Sequence, residues 1–302
     1  MSKLQLLLVL IIGVLAGGII FLTNYTNAQS PLTSPVSSNN IGLNQWFPAV
    51  LGESSDNLDI TAKAALFVDT GTGQVLYSRN AHEKLPIASL TKVMTSVVAL
   101  ESRGLDEKLL VSDRAAQMEP DKMDLIPGEK LTVKELLYGV FLLSANDAAE
   151  VLAESSTGDR AGFIKLMNDQ AAQLGMKDTK FVNPTGLDED SGNSYSSAYD
   201  LAVLVRYAIK KYPVLVDISS TEHIVLPATS LHQDYDMYSA INLLTTYPGV
   251  VGFKIGFTPE ANFCIITLAR KNNHEIMGIL LGSEDRRDEA RTLLDYSFRQ
   301  LQ

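Results

Sequence analysis

The chain has 302 residues, 46% of them hydrophobic and 20% charged, with a formal net charge of −10. That is enough for one domain with a full core or for two small ones, and the acidic balance excludes nucleic acid as a partner, since phosphate backbones need clustered Lys and Arg. One cysteine excludes an intramolecular disulfide; four histidines (His82, His223, His232, His274) in no H-x-x-x-H or E-x-x-H pattern offer no metal site, and no cofactor is implied.

Leu6 to Leu22 is an uninterrupted apolar run preceded by Lys3. It sits at the short limit for spanning a bilayer and is slightly long for a signal-peptide core. Thr26-Asn27-Ala28 offers a small-residue cleavage site. Residues 1–28 therefore read as a signal peptide or as a retained N-terminal membrane anchor. Both readings export the rest of the chain, so an extracytoplasmic location is expected, in the periplasm or on the outer face of the cell membrane. Membrane contact is expected only through this segment. Residues 29–57 are rich in Ser, Pro, Asn and Gly and read as a flexible linker.

The folded domain is expected over 58–302. Ala64 to Asp69 reads as an apolar strand, Thr70 to Gly73 as a turn and Gln74 to Ser78 as a returning strand, which makes a hairpin. From Leu90 the period changes: Leu90, Val93, Met94, Val97 and Val98 mark one face of a helix. Thr132 and Glu135 form a capping box that opens a second helix, with Val133, Leu136, Leu137, Val140 and Phe141 on its buried face. Further helices are expected from near Asp147, Gly162 and Ser197. Val250 to Phe257, Phe263 to Ala269 and Glu275 to Leu281 then read as three strands, and Asp285 to Leu301 as a closing helix. Cys264 falls on the middle of these strands and reads as a small core residue. Two strands, a block of helices, three strands and a helix predict an α+β fold: a single antiparallel sheet of about five strands flanked by helices.

Three short stretches could carry chemistry. Ser89 and Lys92 stand three apart at a helix start, which puts both side chains on one face. A serine hydroxyl needs a base to take its proton. A lysine is that base only when burial or a neighbouring cation lowers its pKa; otherwise Ser89 is a cap and Lys92 an exposed lysine. Ser144 and Asn146 lie between two apolar helices, where a turn sets polar side chains at a cleft rim. Asn146 also suits the N-cap of the helix from Asp147. Lys254 and Gly256 lie on a strand, where a glycine marks close approach by a ligand or another backbone. A lysine there attracts a carboxylate or is simply solvated.

S-x-x-K, S-D-N and K-T-G in this order form the signature of penicillin-binding proteins and class A β-lactamases; here the first is intact, the second reads S-A-N and the third K-I-G. The chain resembles the low-molecular-mass penicillin-binding proteins of the D-alanyl-D-alanine carboxypeptidase kind, in the β-lactamase/transpeptidase-like superfamily. The matching text includes Ala88-Ser89-Leu90-Thr91-Lys92-Val93-Met94-Thr95 and Leu143-Ser144-Ala145-Asn146-Asp147-Ala148-Ala149. It also includes Asn183-Pro184-Thr185-Gly186-Leu187, Ala198-Tyr199-Asp200-Leu201-Ala202 and Gly252-Phe253-Lys254-Ile255-Gly256-Phe257-Thr258. The resemblance implies serine acyl transfer on the peptidoglycan stem pentapeptide, with β-lactam antibiotics as covalent inhibitors. In that scheme Ser89 attacks, Lys92 is the general base, and the backbone N–H groups of Ser89 and Phe257 form the oxyanion hole. Lys254 holds the terminal carboxylate, while Ser144 and Asn146 shape the cleft and shuttle protons. Asn183–Leu187 and Tyr199-Asp200 are expected to be structural, a turn and a helix cap.

Three departures stand out. Ile255 replaces the family's usual Thr, whose hydroxyl helps bind the substrate carboxylate; Thr258 is the candidate substitute. Asn262 stands where relatives often have Gly. The sequence stops after the closing helix, without the β domain and amphipathic anchor of many relatives, which makes an N-terminal anchor the expected replacement. The alternatives are a D,D-endopeptidase, a class A-like β-lactamase and a non-catalytic cell-wall-binding relative. The β-lactamase needs a positioned Glu, and none of Glu150, Glu154 or Glu189 is singled out by context.

Overall fold

The computed structural model describes Pro48, Ser54, residues 58–190 and residues 192–301. The expected export segment (1–28) and most of the expected linker (29–57) lie outside the described residues. Among the described residues, no helix is long and apolar enough to cross a membrane.

The hairpin forms as expected, from β1 (Ala64–Asp69) and β2 (Val75–Arg79). Its turn is fixed by Asp69, whose carboxylate accepts from Gly71 N, Thr72 N and Thr72 Oγ1 at 3.0, 2.8 and 2.9 Å. The three C-terminal strands are β3 (Val250–Thr258), β4 (Asn262–Lys271) and β5 (His274–Ser283), each longer than its apolar run because the ladder extends into the polar turns. All five join one antiparallel sheet in the order β2-β1-β5-β4-β3. The first strand thus pairs with the last, with Leu66 opposite Ile279, and β3 is left at an edge.

Both faces of this sheet are covered. Strand alternation sends Leu66, Val68, Ile266, Leu268, Met277 and Ile279 into one apolar cluster with the helical block. Ala65, Phe67, Ile265, Ala269, Ile276 and Leu280 face a second cluster, completed by Leu293, Leu294 and Phe298 of the closing helix. That is why β1 is buried at all six positions and reads as a continuous apolar run.

Among the described residues the α-helices of six residues or more are α1 (Thr91–Ser102), α2 (Val133–Tyr138), α3 (Asn146–Thr157), α4 (Arg160–Gln173), α5 (Ala198–Lys211), α6 (Val214–Ser219) and α7 (Arg286–Arg299). The capping box is present: Thr132 Oγ1 accepts from Glu135 N at 3.2 Å, and Glu135 Oε2 accepts from Thr132 N at 2.7 Å. Two expected caps differ. The N-cap of α5 is Ser197, whose hydroxyl accepts from Asp200 N at 3.1 Å. Asp200 itself accepts from Asp178 N and Thr179 Oγ1, both at 2.7 Å, and so ties the preceding loop to α5. At α3 the N-cap is Ala145; Asn146 is already helical and its side chain turns elsewhere. The placement of α1 matters most for the site. It runs through the middle of the helical block, so every residue from Thr91 to Ala99 is buried, not only the apolar stripe. Burying each of Leu90, Val93, Met94 and Val97 contributes about 1.5–3 kcal/mol, which draws the polar residues between them inside.

Candidate active site

Ser89 lies in a single tight turn, Ala88–Leu90, that leads into α1. The residue before it, Ala88, has φ +47°, a strained left-handed conformation for a residue with a Cβ. Lys92 comes one turn later and donates to Ser89 Oγ at 2.7 Å and to the Thr185 carbonyl at 2.8 Å. Its side chain is completely buried. Burial holds the Lys92 amine down at a pKa of about 7, against the opposing pull of Asp121 and Asp147. The alternative of an exposed lysine beside a serine cap does not hold, since Leu90 precedes α1 with no side-chain cap.

The Thr185 carbonyl reaches Lys92 because Asn183 folds the 183–187 segment. Asn183 Oδ1 accepts from Gly186 N at 2.6 Å and from Thr185 N at 3.2 Å, and its amide nitrogen donates to Leu187 O at 2.9 Å. Thr95 Oγ1 adds a bond to Pro184 O at 2.6 Å. Gly186 has φ +80°, and a Cβ there would stand 1.9 Å from Ala88 O. This segment is therefore part of the site wall, in contact with the general-base candidate and with the backbone beside Ser89.

Helix α2 passes at its C-terminal end into a wider, π-type turn, Gly139–Leu143, and Ser144 ends it in the left-handed conformation at φ 59°. Such widened turns recur at functional sites. Here the turn aims Ser144 Oγ at Lys254 Nζ, which donates to it at 2.8 Å. Asn146 N donates to Asp121 O at 2.7 Å and Asn146 Nδ2 donates to Pro120 O. Its Oδ1 is buried without a hydrogen-bond partner. Asp147 pins the same loop: its carboxylate accepts from Met123 N at 3.0 Å, Leu125 N at 3.1 Å and Ala148 N at 2.8 Å. The loop carries Asp121, whose charge acts on both Lys92 and Lys254.

Lys254 lies on the edge strand β3 and is fully buried, so it is not a solvated lysine. Besides Ser144 it donates to Ile255 O at 2.9 Å. Burial, then the charges of Lys92 and Arg286, hold its amine well below the usual lysine range. Gly256 answers to the close approach foreseen for it: a Cβ there would meet Ser89 N at 3.0 Å and Ile87 O at 3.3 Å. The approaching group is the backbone of the nucleophile candidate. Ile255 packs toward the second apolar cluster. Phe257 is exposed, its ring 4.7 Å from that of Phe263. Thr258 Oγ1 accepts from Ala261 N at 3.1 Å, so its oxygen is used in the turn to β4. Asn262 in that turn has φ +56°, the conformation glycine serves and the one asparagine tolerates best among other residues.

One group of the site carries no mark in the sequence. Arg286, the first residue of α7, donates to Gly256 O at 2.6 Å and lies 5.1 Å from the Phe263 ring. Among the described residues it makes no carboxylate ion pair within 4.0 Å. Its position identifies it only as a helix start, with no signal that it reaches β3. Residues 51–285 match the family model of the D-alanyl-D-alanine carboxypeptidases, peptidase family S11. The chain belongs to this family. It is 35% identical over 257 residues to D-alanyl-D-alanine carboxypeptidase DacF of Bacillus subtilis, a match that covers 82% of this chain and 65% of the relative. Among solved structures it is similar to a D-alanyl-D-alanine carboxypeptidase from Mycobacterium tuberculosis, with a TM-score of 0.75, 30% identity, and 82% and 96% of the two chains covered. It is also similar to penicillin-binding protein D2 of Listeria monocytogenes in its ampicillin-bound form, with a TM-score of 0.68, 31% identity, and 80% and 99% covered. The fold is thus that of the penicillin-binding D,D-peptidases. Within it Ser89, Lys92, Ser144, Asn146, Lys254 and Gly256 converge from α1, the α2–α3 turn and β3. Asp147 joins them from the same stretch as Ser144 and Asn146, and Thr185 and Arg286 from segments whose part in the site the sequence does not mark.

Proposed function

We propose that this chain is a serine-type, penicillin-binding D-Ala-D-Ala carboxypeptidase that removes the terminal D-alanine from peptidoglycan stem peptides. The observation that carries the reading is the 2.7 Å contact between Lys92 Nζ and Ser89 Oγ, made by an amine whose burial holds it near neutral. A neutral Lys92 takes the hydroxyl proton as Ser89 Oγ attacks the carbonyl between the two D-alanines. The oxyanion is received by the N–H groups of Ser89 and Phe257. Ser144, hydrogen-bonded to Lys254, relays the proton taken up by Lys92 to the departing amine, which returns Lys92 to its neutral form. Water then enters, Lys92 again acts as base, and the acyl-enzyme is released.

The substrate lies along the β3 edge in this scheme. Asn146 Oδ1, buried and unpaired, accepts a substrate amide N–H. The terminal carboxylate is met by Arg286 and the buried charge of Lys254, in place of the hydroxyl that Ile255 lacks. A carboxylate arriving there favours the protonated form of Lys254 against the burial that disfavours it. Among the described residues, no glutamate is a hydrogen-bond partner of Ser89 or Lys92. Glu189 is engaged by Arg160 and Asn183, which disfavours a β-lactamase deacylation route. A substrate in the cell wall calls for an extracytoplasmic site of action, reached through cleavage or retention of the N-terminal apolar run.

The test is D-alanine release from diacetyl-L-Lys-D-Ala-D-Ala by wild type and Ser89→Ala. Release that vanishes in the variant supports the reading. No release, from protein that still traps a fluorescent penicillin, points instead to crosslink-specific endopeptidase action. A covalent penicilloyl adduct on the Ser89→Ala protein overturns the assignment of the nucleophile.

A further inference from the structure

The carbonyl that accepts from Lys92 is tied to a buried ionic network outside the cleft. Glu150 of α3 is fully buried, and no hydrogen bond reaches either of its carboxylate oxygens. Two arginines serve as its counterions. Arg114 approaches Glu150 Oε1 at 3.0 Å and also pairs with Glu154 at 3.6 Å. Arg160, at the start of α4, approaches the same Oε1 at 3.4 Å. The two differ in what they touch next. Arg160 donates to Glu189 Oε1 at 2.5 Å. That same oxygen accepts from Asn183 Nδ2 at 3.1 Å, and Asn183 Oδ1 holds Thr185 N and Gly186 N. The Thr185 carbonyl then meets Lys92. Arg114 has no such continuation.

We infer that Arg160 and Glu189 are positioning residues for the general base: they hold Asn183, and through it the Thr185 carbonyl, at the place where Lys92 Nζ is aimed at Ser89. The inference rests on the assignment of Lys92 as base, but uses a different set of residues. Asn183 cannot be both the hub of the 183–187 turn and free to rotate. Its Nδ2 is fixed by Leu187 O and Glu189, and Glu189 is fixed by a guanidinium already anchored to a buried carboxylate. A displacement of about 1 Å in such a support can lower a rate by about a hundredfold. The charged groups around Lys92 itself are Lys254 from β3, Asp147 from α3 and Asp121 from the intervening loop, and none belongs to the Arg160–Glu189 chain.

The two arginines provide the control. Both neutralise Glu150, so a merely structural role makes Arg114→Met and Arg160→Met alike. The measurement is the second-order rate of acylation by a fluorescent penicillin as a function of pH, with melting temperature recorded alongside, for wild type, Arg114→Met, Arg160→Met, Glu189→Ala and Glu189→Gln. Arg160→Met and Glu189→Ala are expected to lower the plateau rate about tenfold or more. They are also expected to move the acid limb to lower pH, because a Lys92 ammonium that loses the Thr185 acceptor is less favoured. Glu189→Gln keeps an acceptor for Asn183 and is expected to fall between wild type and the alanine variant. Arg114→Met is expected to lose melting temperature yet keep the wild-type acid limb and a rate within about twofold. Equal rate losses in the two arginine variants, or an unmoved acid limb in Arg160→Met, overturn the inference. A wild type that is not acylated at Ser89 overturns the assignment of function instead.

Discussion

Replacing Lys92 by Met tests the general-base assignment through stability as well as activity. The Lys92 amine falls from 10.5 to about 7 in the folded chain, chiefly through burial. The unfolded chain keeps its proton up to the higher value, whereas the folded chain releases it above the lower one. Between the two the unfolded state holds more protons, so this group's contribution to stability becomes less unfavourable as pH rises. Below both values each state is protonated and the burden is constant at its largest. With about 1.4 kcal/mol per pH unit, and the first unit blunted by titration, wild type should gain about 2 kcal/mol on the Lys92→Met protein between about pH 7 and about pH 9. Hydrogen bonds lost by the variant add a pH-independent offset, and because the Lys92 charge is among the groups that hold the Lys254 amine down, the pair is compared in a Lys254→Met background as well. The assay is urea unfolding of both proteins at several pH values. Acylation by a fluorescent penicillin gives an independent reading. It should be absent in the variant, and in wild type should rise about tenfold per unit below about pH 7 and then level off. A stability difference that does not change with pH, together with an acid limb near the ordinary lysine value, would refute the claim that Lys92 is neutralised by burial.

Ile255→Thr should raise kcat/KM on D-Ala-D-Ala peptides by up to about tenfold, since one added hydrogen bond contributes about 0.5–1.5 kcal/mol; an unchanged or lower value would show that the cleft has adapted to isoleucine. Arg286→Gln should raise KM for these peptides about tenfold with a smaller change in kcat, as loss of a charge-assisted contact to the terminal carboxylate requires; a fall in kcat at constant KM would remove Arg286 from substrate binding. Gly186→Ala should destabilise the fold by about 3 kcal/mol or more, because it adds a left-handed strain to a clash with the backbone. The Cβ would stand 1.9 Å from Ala88 O, so a melting temperature close to wild type would show that the 183–187 segment does not press on the residue before Ser89.

Much of this site is legible in the residues alone. Leu90, Val93, Met94 and Val97 announce α1 by their spacing, and the shared face of Ser89 and Lys92 comes with that helix. Thr132 and Glu135 announce the start of α2, and both side chains make the expected bonds. The glycine at position 256 announces a close approach without saying whose. Where local pattern falls short, the failing has one form. Asn146 suits a cap because it stands before a helix, yet its amide is drawn to Pro120 by a loop twenty-six residues upstream. Asp200 suits a cap as well, yet its carboxylate binds the Asp178–Thr179 backbone and hydroxyl. Arg286 announces only a helix start. Each competing partner is distant in sequence, and a hydrogen bond to a backbone group leaves no mark on the residue that supplies that group.

The sequence by itself determined the periodic elements, the order of strands and helices, and the three motifs, because periodicity and capping depend on neighbours a few residues away. Only the tertiary structure decided the chemistry those motifs can perform. The Lys92 amine is held near a pKa of about 7, as a general base requires, because α1 runs through the core and strips water from it. Lys254 meets Ser144 because the first strand pairs with the last and leaves β3 at the edge beside the α2–α3 turn. The Thr185 carbonyl meets Lys92 because Gly186 lets two loops touch. Burial and long-range contact are properties of how elements assemble, and no local pattern of residues carries them.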